Sequence, residues 1–446
     1  MFENKKFLVC GMARSGQAAA LVLRQLGALV TASDAKTEIN WDYNPAEKGI
    51  SLRLGENPED FVAEFEHIII SPGISVYAPF VKKAQAAGIP VWGEAELAYR
   101  LCPCDMVAIT GTNGKTTVTT LVGEILKKHN SGTVIAGNIG VPLTSLVTEL
   151  TPANMVVAEI SSFQLETISA FRPKISAILN MTEDHLDRHH TMENYIAAKC
   201  RIFENQRQDE NCVLNYDNSI TKVLKSPCRT VYFSAKERLD YGVFLESGYI
   251  VSNITGEEIR IAKIDELRVM PENALAATAL SLLAGASPAQ IAETLREFQG
   301  VPHRLEFVAT IDGADYYNDS KATNTDAAVK ALEAFTDRPI ILIAGGYDKQ
   351  TDFTPWVKMF AGRVVQLILI GQTASQIAKT CDAENFLSYV YAENLQDAVA
   401  RAKEVAKPRS AVLFSPACAS FDMFKNFEQR GEIFKNSVRG VHDEPL

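Results

Sequence analysis

The chain has 446 residues, of which 47% are hydrophobic and 22% charged, so it is long enough for about three globular domains. Its formal net charge of −10 argues against non-specific binding to nucleic acid or to anionic membranes, because both require a basic surface. The chain starts without the apolar core of a signal peptide, and its longest apolar helical segment (273–286) is too short to cross a bilayer, so we expect a cytoplasmic protein without membrane insertion.

Three successive segments repeat an apolar strand, a glycine-bearing turn and a helix. This alternation predicts an α/β fold of three domains with mostly parallel sheets: a Rossmann-like N-terminal domain, a central P-loop ATPase-like domain and a Rossmann-like C-terminal domain. We place these domains at 1–95, 96–299 and 300–446. Ligands in such sheets bind beyond the carboxyl ends of the strands, so the residues after each strand are candidates for function. The predicted strands are 6–11, 29–33, 67–71, 105–110, 155–161, 175–181, 340–346, 366–371 and 411–416.

The first strand is followed by "GMARSG" (11–16), which is similar to the dinucleotide pattern G-x-G-x-x-G, except that Ala13 replaces the middle glycine. Asp34 ends the next predicted strand, 23 residues after Gly11. This spacing suits a nucleotide whose diphosphate faces the helix N-terminus. An NAD site is an alternative, although losing the middle glycine limits close backbone approach. Ser71, in "SPG" (71–73), either lines the same crevice or belongs to a plain turn.

The second segment contains "AITGTNGKTT" (108–117), which partly meets the phosphate-loop pattern because Ile109 stands where the first glycine belongs. A buried strand precedes the glycines and an amphipathic helix (117–129) follows them. Such a turn aims backbone N–H groups at an anion, Lys115 can reach the β- and γ-phosphates, and the Thr116 hydroxyl can ligate Mg²⁺. The alternative is a glycine turn capped by threonines with a solvated lysine.

Acidic and imidazole side chains follow the next strands of this segment. Glu159 ends an apolar strand, where P-loop enzymes place a magnesium ligand, and two serines follow it. The loop "NMTEDHLDRHH" (180–190) suits Mg²⁺ or zinc, or is simply a solvated polar loop. Lys199 lies on an apolar helical stretch (194–203), where the residues alone favour a surface lysine. A neutral lysine amine can instead take up CO₂ and become an anionic carbamate.

The third segment carries charged and hydroxyl groups after strand-like stretches. Arg304 in "HRLE" (303–306) is suited to bidentate phosphate contacts, and Asp319, Lys321 and Thr323 cluster in "NDSKATN" (318–324); both stretches are equally compatible with a charged loop. "GGYDK" (345–349) follows a strong strand and gives another Gly-Gly turn. The residues singled out in this segment are Arg304, Asp319, Lys321, Thr323, Lys349, Ser420, Lys425 and Phe427.

Taken together and in this order, the motifs resemble those of the bacterial Mur ligases, ATP-dependent enzymes that extend the peptidoglycan precursor peptide. The resemblance spans all three segments and rests on "TGTNGKTT", "EISSFQLE", "NMTEDHLDRH", "YIAAKCRIF", "HRLE", "NDSKATN" and "SPACASFDMFKNFEQRG". Within the family, "GMARSG", "SPGI" and the last motif look like those of the member that adds D-glutamate to UDP-N-acetylmuramoyl-L-alanine. Val269 and Met270 depart from the family, which usually has His-Asn there.

The resemblance implies ATP, two Mg²⁺ ions and a carbamate on Lys199 as cofactors, and it implies roles for particular residues. Lys115, Lys199, His185 and Glu159 would be catalytic, and the metal ligands would be Thr116, Glu159, His185 and the modified Lys199. ATP would be bound by Gly111, Thr112, Asn113, Gly114, Lys115, Thr116, Thr117, Asn273, Arg304 and Asp319. The UDP-linked substrate would be bound by Ser15, Asp34, Ser71, Asn138 and Ser161. D-Glutamate would be bound by Lys321, Thr323, Lys349, Ser420 and Phe427.

Three other functions fit part of the pattern. A ligase of the same fold could act on another amino acid or on a folate, and it would be distinguished by the acceptor that supports phosphate release. A P-loop switch would hydrolyse nucleotide without a carboxylate substrate. An oxidoreductase would bind NAD at "GMARSG". The eight cysteines show no repeated metal-type pairing, which indicates free thiols in a reducing compartment, and we expect a monomer.

Overall fold

The protein folds into two compact units, Met1–Phe298 and Gln299–Leu446. The computed structural model describes residues 2–335, 338–347 and 351–440, apart from the side chains of Asp187 and Asp326. The first unit contains two β-sheets and the second contains one. The predicted architecture of three α/β domains is confirmed.

The N-terminal sheet has five parallel strands in the order β3-β2-β1-β4-β5. Side chains of the first strand alternate between two buried faces, with Phe7 and Val9 in one apolar cluster and Leu8 and Cys10 in another. Both faces are covered, which is why the central strands β1 and β4 are mostly apolar and buried. The strands are β1 (Lys6–Cys10), β2 (Leu29–Asp34), β3 (Ser51–Leu54), β4 (His67–Ile70) and β5 (Val91–Gly93), and the helices are α1 (Arg14–Gln25), α2 (Pro79–Ala86) and α3 (Glu94–Leu101).

Helix α3 connects the N-terminal sheet to the central domain. The predicted domain boundary, between residues 95 and 96, falls inside this helix. The buried carboxylate of Glu96 accepts hydrogen bonds from the backbone N–H groups of Ser169, Ala170 and Phe171 at 2.8–3.1 Å. Glu94, also buried, accepts from the N–H and hydroxyl of Thr144 at 2.7 and 2.9 Å. One apolar cluster runs through both domains, so they form a single unit.

The central sheet has nine strands in the order β14-β13-β12-β11-β10-β9-β6-β8-β7. Strands β12, β11, β10, β9, β6, β8 and β7, which are neighbours in that order, are parallel. Strands β12, β13 and β14 form an antiparallel meander, which the sequence patterns do not predict. The strands are β6 (Asp105–Thr110), β7 (Thr133–Gly137), β8 (Met155–Glu159), β9 (Ile175–Ile178), β10 (Asn211–Asn215), β11 (Arg229–Ser234), β12 (Gly242–Glu246), β13 (Tyr249–Ser252) and β14 (Ile259–Lys263). The helices are α4 (Lys115–His129), α5 (Ser162–Leu165), α6 (Leu186–His189), α7 (Met192–Cys200), α8 (Pro271–Leu283) and α9 (Pro288–Glu297).

The C-terminal sheet has six strands in the order β15-β16-β20-β17-β18-β19, all parallel except the antiparallel β15–β16 pair. Apolar clusters fill both faces of the sheet. The strands are β15 (Glu306–Ile311), β16 (Ala314–Asn318), β17 (Ile340–Ala344), β18 (Val364–Leu369), β19 (Tyr389–Tyr391) and β20 (Ala411–Phe414), and the helices are α10 (Thr325–Glu333), α11 (Thr354–Val357), α12 (Ala374–Ala383), α13 (Leu395–Val405) and α14 (Phe427–Arg439).

Two further observations concern the part of the chain that the structure describes. None of its helices combines the length and the apolar character needed to span a membrane. All eight cysteines are free thiols.

Candidate active site

The loop of residues 111–114 joins the buried end of β6 to the first turn of α4, as the glycine and lysine pattern predicts. Gly114 has a φ of +80°, a left-handed conformation that glycine adopts without strain. The N–H of Thr112 donates to the Asn180 carbonyl at 3.0 Å, and the N–H of Asn113 donates to the Asn180 side-chain oxygen at 2.8 Å. The loop is therefore held in shape by the protein itself, with the N-terminus of a 15-residue helix behind it.

The first residues of α4 complete a phosphate cradle. The Lys115 ammonium donates to the carbonyls of Gly111 and Thr112 at 2.9 and 2.7 Å, so it lies over the loop. Thr116 and Thr117 are buried beneath it, and the Thr117 hydroxyl makes no hydrogen bond to the residues that the structure describes. These groups are the loop amides, cation and hydroxyl that bind nucleotide phosphates and their metal in P-loop enzymes.

Helix α8 packs against α4 and brings Asn273 to the phosphate loop. A Cβ atom built on Gly114 would lie 2.5 Å from the Asn273 side-chain oxygen, so the amide directly contacts the loop. The left-handed φ of Gly114 favours glycine, and any larger side chain there would also have to displace the Asn273 amide. This placement suits the predicted role of Asn273 in nucleotide binding.

Glu159, at the end of β8 beside β6, is a buried carboxylate with one oxygen left for a cation. Its side chain is 1% exposed, and one oxygen accepts from the Asn138 amide at 2.8 Å. The other oxygen is buried and lacks a hydrogen-bond partner within the described ranges. A buried anionic oxygen without a partner is costly unless a positive charge binds it. Glu159 therefore fits a Mg²⁺ ligand, because hard oxygen donors suit this ion.

The residues 2–335, 338–347 and 351–440 contain no cluster of three or more His, Cys, Asp and Glu side chains able to hold a metal ion by themselves. Mg²⁺ does not need such a cluster, because it keeps several waters and binds through one or two carboxylates together with substrate phosphates.

Lys199 is buried on α7 at 2% exposure, so the surface position favoured by the residues alone is wrong. Its ammonium donates to the Gly111 carbonyl at 2.8 Å and lies 4.7 Å from the centre of the Tyr195 ring. Burial, reinforced by the nearby charge of Lys115, lowers the pKa of Lys199 well below its ordinary value, against the opposing charges of Asp184 and Glu159. A lysine that loses its proton readily supplies the neutral amine that reacts with CO₂.

The 180–190 loop is packed rather than simply solvated. His185 caps α6 with a φ of +55°, and its ring lies 4.8 Å from the Phe163 ring, edge to face. Its side chain remains 38% exposed, with Nε2 3.6 Å from an Asp184 oxygen. His189, by contrast, is buried. The loop, which follows the strand that neighbours β6, therefore presents a half-exposed imidazole at His185 and an exposed one at His190.

The hydroxyl of Ser161 takes part in a capping box at the start of α5. It accepts from the Gln164 N–H at 3.2 Å and lies 3.1 Å from the Gln164 side-chain oxygen. This bonding fixes the chain immediately after Glu159. Substrate binding by Ser161 stays a prediction.

In the N-terminal domain, two predicted nucleotide-binding residues hold the 11–16 loop. The Ser71 hydroxyl donates to the Gly11 carbonyl at 2.6 Å, and the N–H of Met12 donates to Asp34 at 2.7 Å. Ser15 lies within this loop, in the first turn of α1. The three side chains are thus close to one helix N-terminus, whose backbone N–H groups favour an anion. The Asp34 carboxylate is itself an anion, so it suits a ligand hydroxyl rather than a phosphate.

Gly16→Ala should destabilise the N-terminal domain, because a Cβ atom there would overlap the Gly11 carbonyl oxygen. We expect a loss of about 2 kcal/mol or more in the free energy of unfolding, measured by urea denaturation. Gly73→Ala is the matched control, since a Cβ on Gly73 meets no atom within 4 Å. Equal urea midpoints for the two variants would contradict the tight contact.

The C-terminal unit gathers a second set of predicted residues. The buried Asp319 carboxylate accepts from the Ser415 hydroxyl at 2.8 Å and from the N–H of Leu305 at 3.2 Å. Burial raises the pKa of Asp319 to about 6, although the positive charge of Arg304 opposes the shift. Arg304 and Asp319 thus lie together, as their shared predicted role requires.

The predicted amino-acid-binding residues in this unit lie on two loops. The Lys321 ammonium is 5.1 Å from the centre of the Phe427 ring, and the N–H of Thr323 donates to the Lys321 carbonyl at 2.9 Å. Ser420 is buried on the other loop, after β20. Lys349 lies outside the described residues. The structure therefore brings Lys321 and Phe427 into contact and places Ser420 on the chain leading to α14.

The raised pKa of Asp319 predicts a pH dependence of stability. The folded state binds the Asp319 proton more tightly than the unfolded chain, so the free energy of unfolding should fall as pH rises from 3.8 to about 6. The expected loss is about 3 kcal/mol, at about 1.4 kcal/mol per pKa unit. Urea unfolding of Asp319→Asn should lack this decrease. Asp312→Asn, at an exposed turn, should keep the wild-type profile, and a profile unchanged in Asp319→Asn would contradict the prediction.

Several residues of the site were not assigned roles from the sequence. Asn180 shapes the phosphate loop, Tyr195 contacts Lys199, and Arg188 with Glu166 forms an ion pair of 2.6 Å beside His189. Tyr195 had a usable signal, because it lies four residues before Lys199 and so on the same helical face. The other three make contacts between segments distant in sequence, which residue spacing does not reveal.

Family models match the three domains in turn. The model of the Mur ligase MurD-like N-terminal domain matches residues 5–93, that of the Mur ligase middle domain matches residues 109–280, and that of the Mur ligase glutamate ligase domain matches residues 303–418. The chain therefore belongs to the Mur ligase family.

Relatives that match almost the whole chain carry the name of one member of the family. The chain is 47% identical over 452 residues to the UDP-N-acetylmuramoylalanine--D-glutamate ligase of Caldanaerobacter subterraneus subsp. tengcongensis, with 98% of both chains covered. It is also 47% identical over 447 residues to the ligase of that name from Thermoanaerobacter sp., again with 98% of both covered. Among solved structures, MurF from Thermotoga maritima in complex with ADP shares the fold at a TM-score of 0.61 and 14% identity, covering 99% of this chain and 96% of that one.

Proposed function

We propose that this protein is an ATP-dependent ligase that joins D-glutamate to UDP-N-acetylmuramoyl-L-alanine in peptidoglycan precursor synthesis. The observation that carries the proposal is the 47% identity, over 98% of both chains, to relatives named for that reaction. Three domains at 1–95, 96–299 and 300–446 would divide the task among the UDP-linked substrate, ATP and the amino acid. The free cysteines fit a reducing compartment, and the proposal places the reaction in the cytoplasm of a monomeric enzyme.

The chemistry requires an activated carboxylate, because a carboxylate anion repels nucleophiles and its oxygen is a poor leaving group. In the proposed reaction, a carboxylate oxygen of the alanine attacks the γ-phosphorus of ATP, ADP leaves, and an acyl phosphate forms. The amine of D-glutamate then attacks the acyl carbon and phosphate departs with the carboxylate oxygen. The loop amides and Lys115 would bind the transferring phosphoryl group and stabilise its charge.

Two Mg²⁺ ions would neutralise phosphate charge when bound, and four residues of the central domain would hold them. Thr116 and Glu159 supply hard oxygens, and the unpartnered oxygen of Glu159 supports this role. His185 would supply its half-exposed imidazole. Lys199 would contribute as a carbamate, and its burial and lowered pKa support that modification.

The family resemblance assigns substrate roles to the remaining residues. Ser15, Asp34 and Ser71 would bind the uridine diphosphate end, and their position close to the α1 N-terminus supports this assignment. Asn138 would bind the sugar-peptide part beside Glu159, and Ser161 follows on the same strand end. Asn273, Arg304 and Asp319 are assigned to ATP. D-Glutamate is assigned to Lys321, Thr323, Lys349, Ser420 and Phe427.

The proposal is tested by ATP-dependent phosphate release with UDP-N-acetylmuramoyl-L-alanine and a panel of D- and L-amino acids, with the nucleotide product weighed by mass spectrometry. We expect release only with D-glutamate and a product heavier by one glutamate residue. Release with a different acceptor would replace the proposed substrate. Release without any acceptor would favour a nucleotide switch instead.

A further inference from the structure

Arg188 links two segments that belong to different domains of the first unit. Its guanidinium donates to the carbonyls of Gly73 and Ile74, at 3.4 and 2.8 Å, in the turn that follows β4. It also donates to a Glu166 carboxylate oxygen at 2.6 Å in the central domain. The Arg188 side chain is 13% exposed, so these charged hydrogen bonds are largely shielded from water.

The turn that Arg188 contacts (residues 71–74) is hydrogen-bonded to the 11–16 loop, which we call the N-terminal nucleotide loop. Ser71 begins this turn and donates to the Gly11 carbonyl, and the Ile74 N–H donates back to the Ser71 carbonyl at 2.9 Å. A ligand that moves the 11–16 loop therefore also shifts the 71–74 turn, whose carbonyls Arg188 binds.

On its other side, Arg188 is packed against the groups that support His185. Its guanidinium carbon lies 4.8 Å from the centre of the Phe163 ring, and the same ring contacts the His185 imidazole at 4.8 Å, edge to face. The second oxygen of Glu166 lies 3.4 Å from His189 Nδ1, and His189 Nε2 lies 3.0 Å from the Ser162 hydroxyl. The network ends three residues after Glu159.

We propose that Arg188 is a positioning residue that couples occupancy of the N-terminal nucleotide loop to the placement of His185 and of the strand end at Glu159. The inference rests on the proposed function, since it assumes that the N-terminal loop takes a nucleoside-diphosphate substrate and the central domain takes ATP with Mg²⁺. Binding of one nucleotide then strengthens binding of the other, because both stabilise the same arrangement of Arg188 and Glu166.

Arg188→Lys tests whether the proposed coupling needs the shape of the guanidinium or only its positive charge. Lysine keeps the positive charge, but its single ammonium lacks the planar fork that lets arginine bind a carboxylate and two carbonyls at once. Glu166→Gln weakens the same contact from the other partner, with little change in volume. Arg53→Lys is the matched control, because Arg53 makes a 2.9 Å ion pair with Glu64 on the surface of the N-terminal domain.

The test is calorimetric titration of the full-length protein with UDP-N-acetylmuramoyl-L-alanine, with and without Mg²⁺ and a non-hydrolysable ATP analogue. We expect the analogue to tighten binding about tenfold in the wild type and in Arg53→Lys, and by less than about twofold in Arg188→Lys and Glu166→Gln. The thermal unfolding midpoint of each variant should stay close to the wild-type value, and so should its affinity for the analogue alone. A variant that failed to fold would change both quantities.

The outcomes separate the two proposals. The role of Arg188 would be overturned if Arg188→Lys and Glu166→Gln kept the tenfold tightening by the analogue, or if the wild type showed no tightening. Neither outcome would affect the proposed ligase activity. Failure of the wild type to form the glutamyl product in a parallel assay would overturn the proposed function and, with it, the inference.

Discussion

Replacing Lys199 with alanine is expected to lower kcat about 10³-fold, the upper range for removing one group that stabilises transition-state charge. The reason is the position of Lys199, buried beside the phosphate loop and able to carry an anionic carbamate next to Glu159 and Lys115. A short-chain carboxylate such as acetate should enter the space left by the side chain and restore part of the activity. Steady-state kinetics with increasing acetate measures both effects.

The direction of rescue distinguishes the carbamate from an ordinary ammonium group. If Lys199 acted as a cation, a small amine such as ethylamine would restore activity and acetate would not. Lys174→Ala, at an exposed position of the same domain, should leave kcat near the wild-type value. Undiminished activity in Lys199→Ala would contradict any role for this residue in the reaction.

Glu159→Gln is expected to lower kcat about 100-fold and to raise the Mg²⁺ concentration needed for half-maximal activity. The amide has nearly the shape of the carboxylate and can still accept the Asn138 hydrogen bond, but it lacks the negative charge that binds the cation. The free energy of unfolding should not fall by more than about 1 kcal/mol, because a buried neutral amide costs less than a buried carboxylate with an unpartnered oxygen.

Magnesium titrations of activity, together with urea unfolding, test this prediction. Glu124→Gln, at an exposed position on α4, serves as the control and should change neither measurement. An unchanged magnesium requirement in Glu159→Gln would contradict the assignment of Glu159 as a metal ligand. A large loss of stability would instead indicate that its role is structural.

Local sequence patterns predicted the elements of the site that depend on neighbouring residues. The phosphate loop was placed between a strand and a helix because Gly114 and Lys115 stand where an apolar run gives way to an amphipathic one, and α4 does begin at Lys115. The mostly parallel sheets followed from the alternation of strands and helices in the same way.

Contacts between distant segments set the features that the sequence did not predict. Lys199 looked like a surface lysine because its burial depends on the loop at Gly111, 88 residues earlier. In the sequence, Arg188 is one of several charged residues in a polar loop. Its proposed positioning role depends on its hydrogen bond to the carbonyl of Ile74, 114 residues earlier. The antiparallel pairing of β13 with β14 and of β15 with β16 was not predicted either, because strand direction depends on pairing partners as well as on the apolar pattern.

In the proposed reaction a carboxylate is activated by phosphoryl transfer before the amine attacks. Isotope transfer tests this step: the substrate is UDP-N-acetylmuramoyl-L-alanine labelled with oxygen-18 in its carboxylate, together with ATP and D-glutamate, and the isotope content of the released phosphate is determined. We expect one carboxylate oxygen in each phosphate, because the acyl phosphate breaks at its carbon–oxygen bond. Unlabelled phosphate released along with the glutamyl product would contradict it.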